Sequence, residues 1–213
     1  MLFRSFPSHD NGGELKLAEI SQLVDGITCS CEGLTDFVKK IVRHIPVVTI
    51  PDRLNLDLFT QKKRHVSKAI RCVWFGYAHN ADETISQCLL ALAKSGLELL
   101  IVSNRDYNPT KTYGIKYQNI KWDSATAYQT IQFADFAINP QLMTSHWKYK
   151  SNNKTLIAWG LGLPVAEFRN QFGLFLDPME RQKEIDIRTK ELSEKWDIKY
   201  SIEQFKELMQ DLS

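Results

Sequence analysis

The sequence predicts an α/β fold, a Rossmann-like parallel sheet flanked by helices. Two runs, IRCVWFG (70–76) and LELLIVS (97–103), are apolar throughout, the pattern of strands buried on both faces. These runs alternate with segments at helical spacing, which places parallel strands beneath helices. Residues that start and stop helices fall between them, such as Asn80 before one segment and Gly96 after it.

Each element follows in order. ELKLAEISQLVDG (14–26) carries Leu15, Leu17, Ile20 and Leu23 at helical spacing. GITCSC (26–31) reads as a strand. EGLTDFVKKIVRH (32–44) reads as a helix with Leu34, Phe37, Val38 and Ile41 on one side. PVVTI (46–50) is a β-branched strand stopped by Pro51. The charge run Gln61-Lys62-Lys63-Arg64 reads as a solvated linker. Beyond IRCVWFG, ADETISQCLLALAKSG (81–96) reads as one helix capped by Asn80 and closed by Gly96. LELLIVS follows, then NIKW (119–122) as a short strand, and SATAYQTIQFAD (124–135) as a helix that Ser124 caps. FAINP (136–140) is a strand, residues 153–161 a helix, and PVAEF (164–168) a strand; two charged helices close the chain near 179–195 and 201–212.

Bulk properties bound the function. The 213 residues suffice for one large domain or a domain with an appendage. A net charge of +2 argues against nucleic acid or an anionic membrane as partner. No apolar run reaches the roughly 18 residues of a membrane span, and MLFRSFPSHDNGGE lacks the apolar core of a signal peptide, so a cytoplasmic location is expected. Cys29 and Cys31 have no second Cys or His pair at ligand spacing; they read as small core residues in a reduced chain. No metal and no resident cofactor is expected.

Ligands of parallel sheets bind beyond the carboxyl ends of the strands, so the loops after Gly76, Ser103, Trp122 and Pro140 carry the information. In KSNNKTLIAWGLGLPV (150–165), Ser151, Asn152 and Asn153 precede a helix whose first N–H groups lack internal partners. Lys150 and Lys154 flank the same end, which makes a seat for a diphosphate. The segment reads equally as an Asn-capped helix between solvated lysines. Gly76, His79 and Asn80 form the first βα loop, without a G-x-G-x-x-G fingerprint. Trp122 reads as a core residue or as a stacking platform for a base. His146 and Trp147 read as sugar contacts or as loop-folding residues.

WFG-x-x-x-N (74–80), NIKW, QFADFAINP (132–140) and KSNNK followed by LGLPV resemble the C-terminal half of GT-B glycosyltransferases, in the broad group 1, family 4-like set that uses nucleotide-sugar donors. RQKEIDIRTKELSEKWDIKYSIEQFKELMQDL resembles that family's two closing helices, with a turn at Tyr200-Ser201. Residues 25–59 are similar to the end of its N-terminal domain and the linker. The resemblance implies residues 1–60 as a remnant of that domain and 61–213 as the donor-binding domain. It places the donor diphosphate on the helix beginning at Asn153 and the base near Trp122. The donor is a substrate rather than a cofactor. This sequence departs from the family at Tyr149 and Ile157, where it usually carries glutamates, and at Asp82 and Glu83, where negative charge disfavours a diphosphate. Besides an unrelated Rossmann-like nucleotide binder, two functions follow. One is a truncated donor domain that binds a nucleotide or nucleotide-sugar and needs a partner chain for the acceptor half. The other is a non-catalytic interaction module of the same origin, self-associating through residues 14–59.

Overall fold

A computed structural model describes residues 2–3, 12–140 and 147–212, with side chains described from Glu14 onward and outside Trp147. The chain forms two compact units. The first takes residues 1–53, 143–153 and 196–213; the second takes 54–142 and 154–195.

In the first unit, three strands, β1 (Leu2–Phe3), β2 (Ile27–Cys29) and β3 (Val47–Thr49), pair in parallel in that order. α1 (Gly12–Ser21) and α2 (Glu32–Ile41) connect them. α1 stops earlier than its apolar spacing suggests. The Ser21 hydroxyl bonds the Ala18 carbonyl at 2.7 Å, and the next amides bond three residues back, which tightens the last turn. Leu23 therefore lies outside the helix and is 83% exposed. α2 turns Leu34 and Val38 onto Ile27, Cys29 and Val47. Cys29 is in this core, and burial raises its thiol pKa; Cys31 is only partly buried. A 3₁₀ turn at Trp147–Tyr149 lies on α2, with the Lys148 carbonyl against the bare Cα of Gly33 and the Tyr149 ring edge-on to Phe37 at 5.9 Å.

The final helix of the chain, designated α9 (Ile198–Asp211), belongs to the same unit. Asp197 caps it by accepting from Lys199 N–H at 3.1 Å. Tyr200 and Ser201 thus lie within the first turns of a helix, not in a turn as the sequence suggested. The Ser201 hydroxyl donates to the Pro51 carbonyl at 3.1 Å and accepts from Arg53 at 2.9 Å, while the same guanidinium nitrogen reaches Gln204 at 2.6 Å.

The second unit holds the larger sheet. Its strands are β4 (Arg71–Gly76), β5 (Glu98–Ser103), β6 (Tyr117–Lys121), β7 (Phe136–Ile138) and β8 (Val165–Ala166). All pair in parallel, in the order β6-β5-β4-β7-β8. Counted within the sheet this order is 3-2-1-4-5, a doubly wound, Rossmann-like arrangement. The flanking helices are α3 (Ala81–Ile85), α4 (Leu89–Lys94), α5 (Ala127–Gln132), α6 (Asn153–Gly160), α7 (Gln171–Leu174) and α8 (Pro178–Lys195). Trp74, Ile85, Leu89, Leu92, Ile101 and Phe136 are buried together between sheet and helices.

The single helix expected over 81–96 is two. Thr84 and Ser86 hydroxyls bond the carbonyls of Asn80 and Asp82, and the Cys88 amide bonds Ile85, three residues back. These side-chain bonds compete with the helical ladder and break it. Asn80 does not cap α3, because a 3₁₀ turn at Ala78–Asn80 already holds it in helical geometry, φ −87° and ψ −7°. Gly96 does close α4, with φ +69°. Ser124 does not cap α5; the side chain that bonds a free amide there is Asp123, which accepts from Ala125 at 2.7 Å. The charge run before β4 is solvated at Gln61, Lys62 and Arg64, which are exposed, but Lys63 is half-buried and the run is bonded to the fold. Lys63 pairs with Asp135 at 3.2 Å and donates to the Ala134 carbonyl at 2.6 Å. Lys62 donates to Thr189 at 3.0 Å, and the Gln61 carbonyl accepts from Gln132.

Candidate functional site at the carboxyl ends of the strands

Strand order reverses at β4, whose neighbours are β5 on one side and β7 on the other. The crevice beyond the ends of β4 and β7 is where such sheets take ligands. β4 ends at Gly76, with φ +151°, a backbone angle other residues rarely adopt. A Cβ at this position would lie 2.5 Å from the Lys154 ammonium and 2.9 Å from its Cε. The same ammonium stands 4.7 Å from the centroid of Trp74, a fully buried indole on β4. A cation is therefore held over the end of the first strand of the sheet by a ring face and a bare backbone.

Lys154 comes from the first turn of α6. Thr155 beside it is buried, and its hydroxyl accepts from the Asn139 amide at 3.1 Å. Asn139, 7% exposed, follows β7, so this bond pins the start of α6 to the second strand of the crevice. Neither Asn139 nor Thr155 was singled out from the sequence. The available signal was a lone amide closing the apolar run FAIN.

Two amides of the loop after β4 have partners. Ala78 N–H donates to the Asn104 side chain at 2.9 Å, and Asn80 N–H donates to the Tyr77 carbonyl. Asp82 accepts from the buried Tyr107 hydroxyl at 2.7 Å; burial, then that bond and the carboxylate's charge, raise the Tyr107 pKa. The loops after β4 and β5 are thus tied to each other. His79 stacks on Tyr77, ring centroids 5.7 Å apart.

Gly76, Ser103 and Lys121 stand in register across β4, β5 and β6. Trp122 follows directly, two strand spacings or about 10 Å from β4. At 38% exposed it is not a core residue, and the face it presents leaves the stacking role open. Lys150, Ser151, Asn152 and Asn153 belong to the first unit. The Asn153 side-chain amide donates to Asp52 at 2.8 Å. Lys150 is exposed, and Ser151 and Asn152 are half-buried. His146 lies outside the described residues.

The LGLPV segment proves to be structural. Gly162 has φ +81°, and a Cβ there would lie 2.5 Å from the backbone nitrogen of Lys63. Gly160 abuts Phe59 rather than the next strand, with a Cβ 2.6 Å from the ring. Among the described residues, no group of three or more His, Cys, Asp or Glu is placed to hold a metal ion, and no helix is long and apolar enough to cross a membrane.

The sheet order, with its switch point between β4 and β7, defines a Rossmann-like architecture. No protein-family model and no curated protein matches the chain. Among solved structures the fold is similar to that of TarM, with a TM-score of 0.65 at 9% identity over 97% of this chain and 49% of TarM's. It is also similar to the GtfA/B complex, with a TM-score of 0.57 at 13% identity over 99% of this chain and 52% of that one. The likeness shows a glycosyltransferase-type fold and, at such identities, the fold alone. The chain spans about half the length of these structures.

Proposed function

We propose that the second unit is a glycosyltransferase-like donor domain that binds a nucleotide or nucleotide-sugar. One observation carries this reading: the Lys154 ammonium lies against Gly76 at the switch point of the sheet. An ammonium over exposed backbone is a seat for phosphate oxygens. The bare Cα lets a diphosphate approach as closely as the lysine does now. From that seat the nucleoside runs across β5 to Trp122, whose half-exposed indole stacks on the base. His79 and Asn80 line the near side of that seat.

The chemistry this reading supplies is electrostatic. Lys154 neutralises charge gathering on the departing diphosphate, and Asn139 and Thr155 fix the turn that presents it. No general base is assigned. Sugar transfer further needs an acceptor site, which the reading gives to a partner chain.

A second reading, a non-catalytic interaction module, is favoured by the loop after β4. Two of its amides, those of Ala78 and Asn80, already have partners, and Asp82 and Glu83 open α3. Titration of UDP, GDP, TDP and their sugars against tryptophan fluorescence and melting temperature separates the two. Saturable binding, weakened at least about tenfold by Lys154→Ala, supports the donor domain, as one charge-assisted contact is worth about 1.5–3 kcal/mol. A flat response to every nucleotide rejects it and leaves the interaction module.

A further inference from the structure

The second unit contains a buried histidine that the proposed site does not use. His65 is 7% exposed, and its backbone N–H and both ring nitrogens have partners. Its backbone N–H donates to the Gln182 side chain at 3.2 Å. Nε2 lies 2.8 Å from the Gly162 carbonyl, and Nδ1 lies 3.1 Å from Nε of Arg181. A guanidinium only donates, so Nδ1 is the acceptor and the proton sits on Nε2. The geometry therefore demands a neutral ring with one tautomer.

Arg181 is 1% exposed and lies near the start of α8. It also donates to the carbonyls of Phe175 and Ser67. Gly162 lies in the turn between α6 and β8, fixed by its left-handed backbone and by Lys63 behind it. One imidazole thus fastens α8 to the turn that ends α6, the helix presenting Lys154 from its other end.

We propose that His65 is a proton-sensitive latch, which joins the α6–β8 turn to α8 while neutral and releases Arg181 when it takes a proton. A proton on Nδ1 would face the Arg181 N–H, two donors with no acceptor between them. The charged groups around the ring are Arg181 from α8, Lys63 from the preceding chain and Asp135 from the entry to β7. Asp135 already pairs with Lys63, and Asp177 is the carboxylate facing Arg181. Burial lowers the His65 pKa; the Gly162 carbonyl opposes this, and Arg181 and Lys63 add to it.

The sign follows. With the folded value below the ordinary histidine value, the unfolded chain binds more protons between the two. Stability is intact above the ordinary value and falls as pH drops through it toward the folded value. Each unit in that window multiplies the opening constant by up to about tenfold.

The test uses the full chain and His65→Gln, whose amide keeps one donor and one acceptor but does not titrate. Amide-exchange protection factors at Leu163 and Arg181 are compared at pH 7.5 and 5.5. Wild type is expected to lose about tenfold more protection than His65→Gln, the other histidines being common to both. Parallel losses in the two proteins would overturn the latch. Should His65→Gln not fold, the ring resonances of wild-type His65 decide. A ring neutral until those amides open supports the proposal; ordinary titration in the closed protein overturns it.

Discussion

Gly76 and Gly162 both hold positive φ angles, +151° and +81°, and at both an added Cβ would collide at 2.5 Å. What they meet differs. Gly162 is met by the backbone of Lys63, which cannot move without the strand entry moving too. Gly76 is met by the far end of a lysine side chain, which can swing away. A glycine pressed by backbone serves packing. A glycine whose tightest neighbour is the end of a flexible side chain, with the Trp74 ring beyond at 3.4 Å, leaves a surface that another molecule can take over. In this chain the first belongs to the motif that looked most like a binding signature, and the second ends a strand with no fingerprint at all.

The largest effect is expected at the packing glycine. Gly162→Ala combines left-handed strain of about 1–2 kcal/mol with a backbone clash, and should cost about 3–5 kcal/mol in chemical denaturation. A loss below about 1 kcal/mol would erase the distinction. Asp135→Asn comes next, at about 2 kcal/mol, because this carboxylate supports Lys63 behind Gly162. It accepts from Ile70 at 2.8 Å and Arg71 at 3.0 Å. Burial alone would raise its pKa, but the Arg71 and Ile70 amides and Lys63 outweigh burial and lower it. Its contribution is therefore complete above the ordinary carboxylate value and lost as pH falls through the lowered folded value, so wild type and variant should converge in stability in acid.

Gly76→Ala should cost less than Gly162→Ala, about 1–2 kcal/mol, since the lysine yields. Its sharper consequence is for ligand: nucleotide binding should fall at least about tenfold as the Cβ occupies the seat. Unchanged binding would remove Gly76 from the site. The smallest stability change is expected for Trp122→Ala, below about 1 kcal/mol for a partly exposed side chain. Calorimetry should instead register a loss of about 1–3 kcal/mol in nucleotide affinity if the indole stacks on a base.

Much of the sheet was legible because buried parallel strands write themselves as apolar runs. IRCVWFG and LELLIVS became β4 and β5 within a residue, and Gly96 closed its helix as its type suggests. Polar details were less legible. Whether Ser86 caps, turns or back-bonds depends on which carbonyl is near, and nothing local decides that. Lys63 reads as solvated until Asp135, 72 positions later, is brought beside it. The site was half legible. Lys154 and Gly76 were picked separately, but their pairing belongs to the tertiary fold. Asn153 read either as part of a phosphate seat or, with Asn152, as a helix cap, and nothing local announced its bond to Asp52. Asn139 and Thr155 carried no motif.

The seam between Ser201, Arg53 and Pro51 bears on how the chain is made. The first unit draws on residues 1–53, 143–153 and 196–213, so its helix α9 reaches it only after the entire second unit has been synthesised. On a ribosome extending the chain at about 5–20 residues per second, the opening strands wait roughly ten seconds or more for that helix. Over that interval the Pro51 carbonyl and the Arg53 guanidinium lack the partners that Ser201 and Gln204 later supply, and the early segment is the part of the nascent chain that a chaperone would hold.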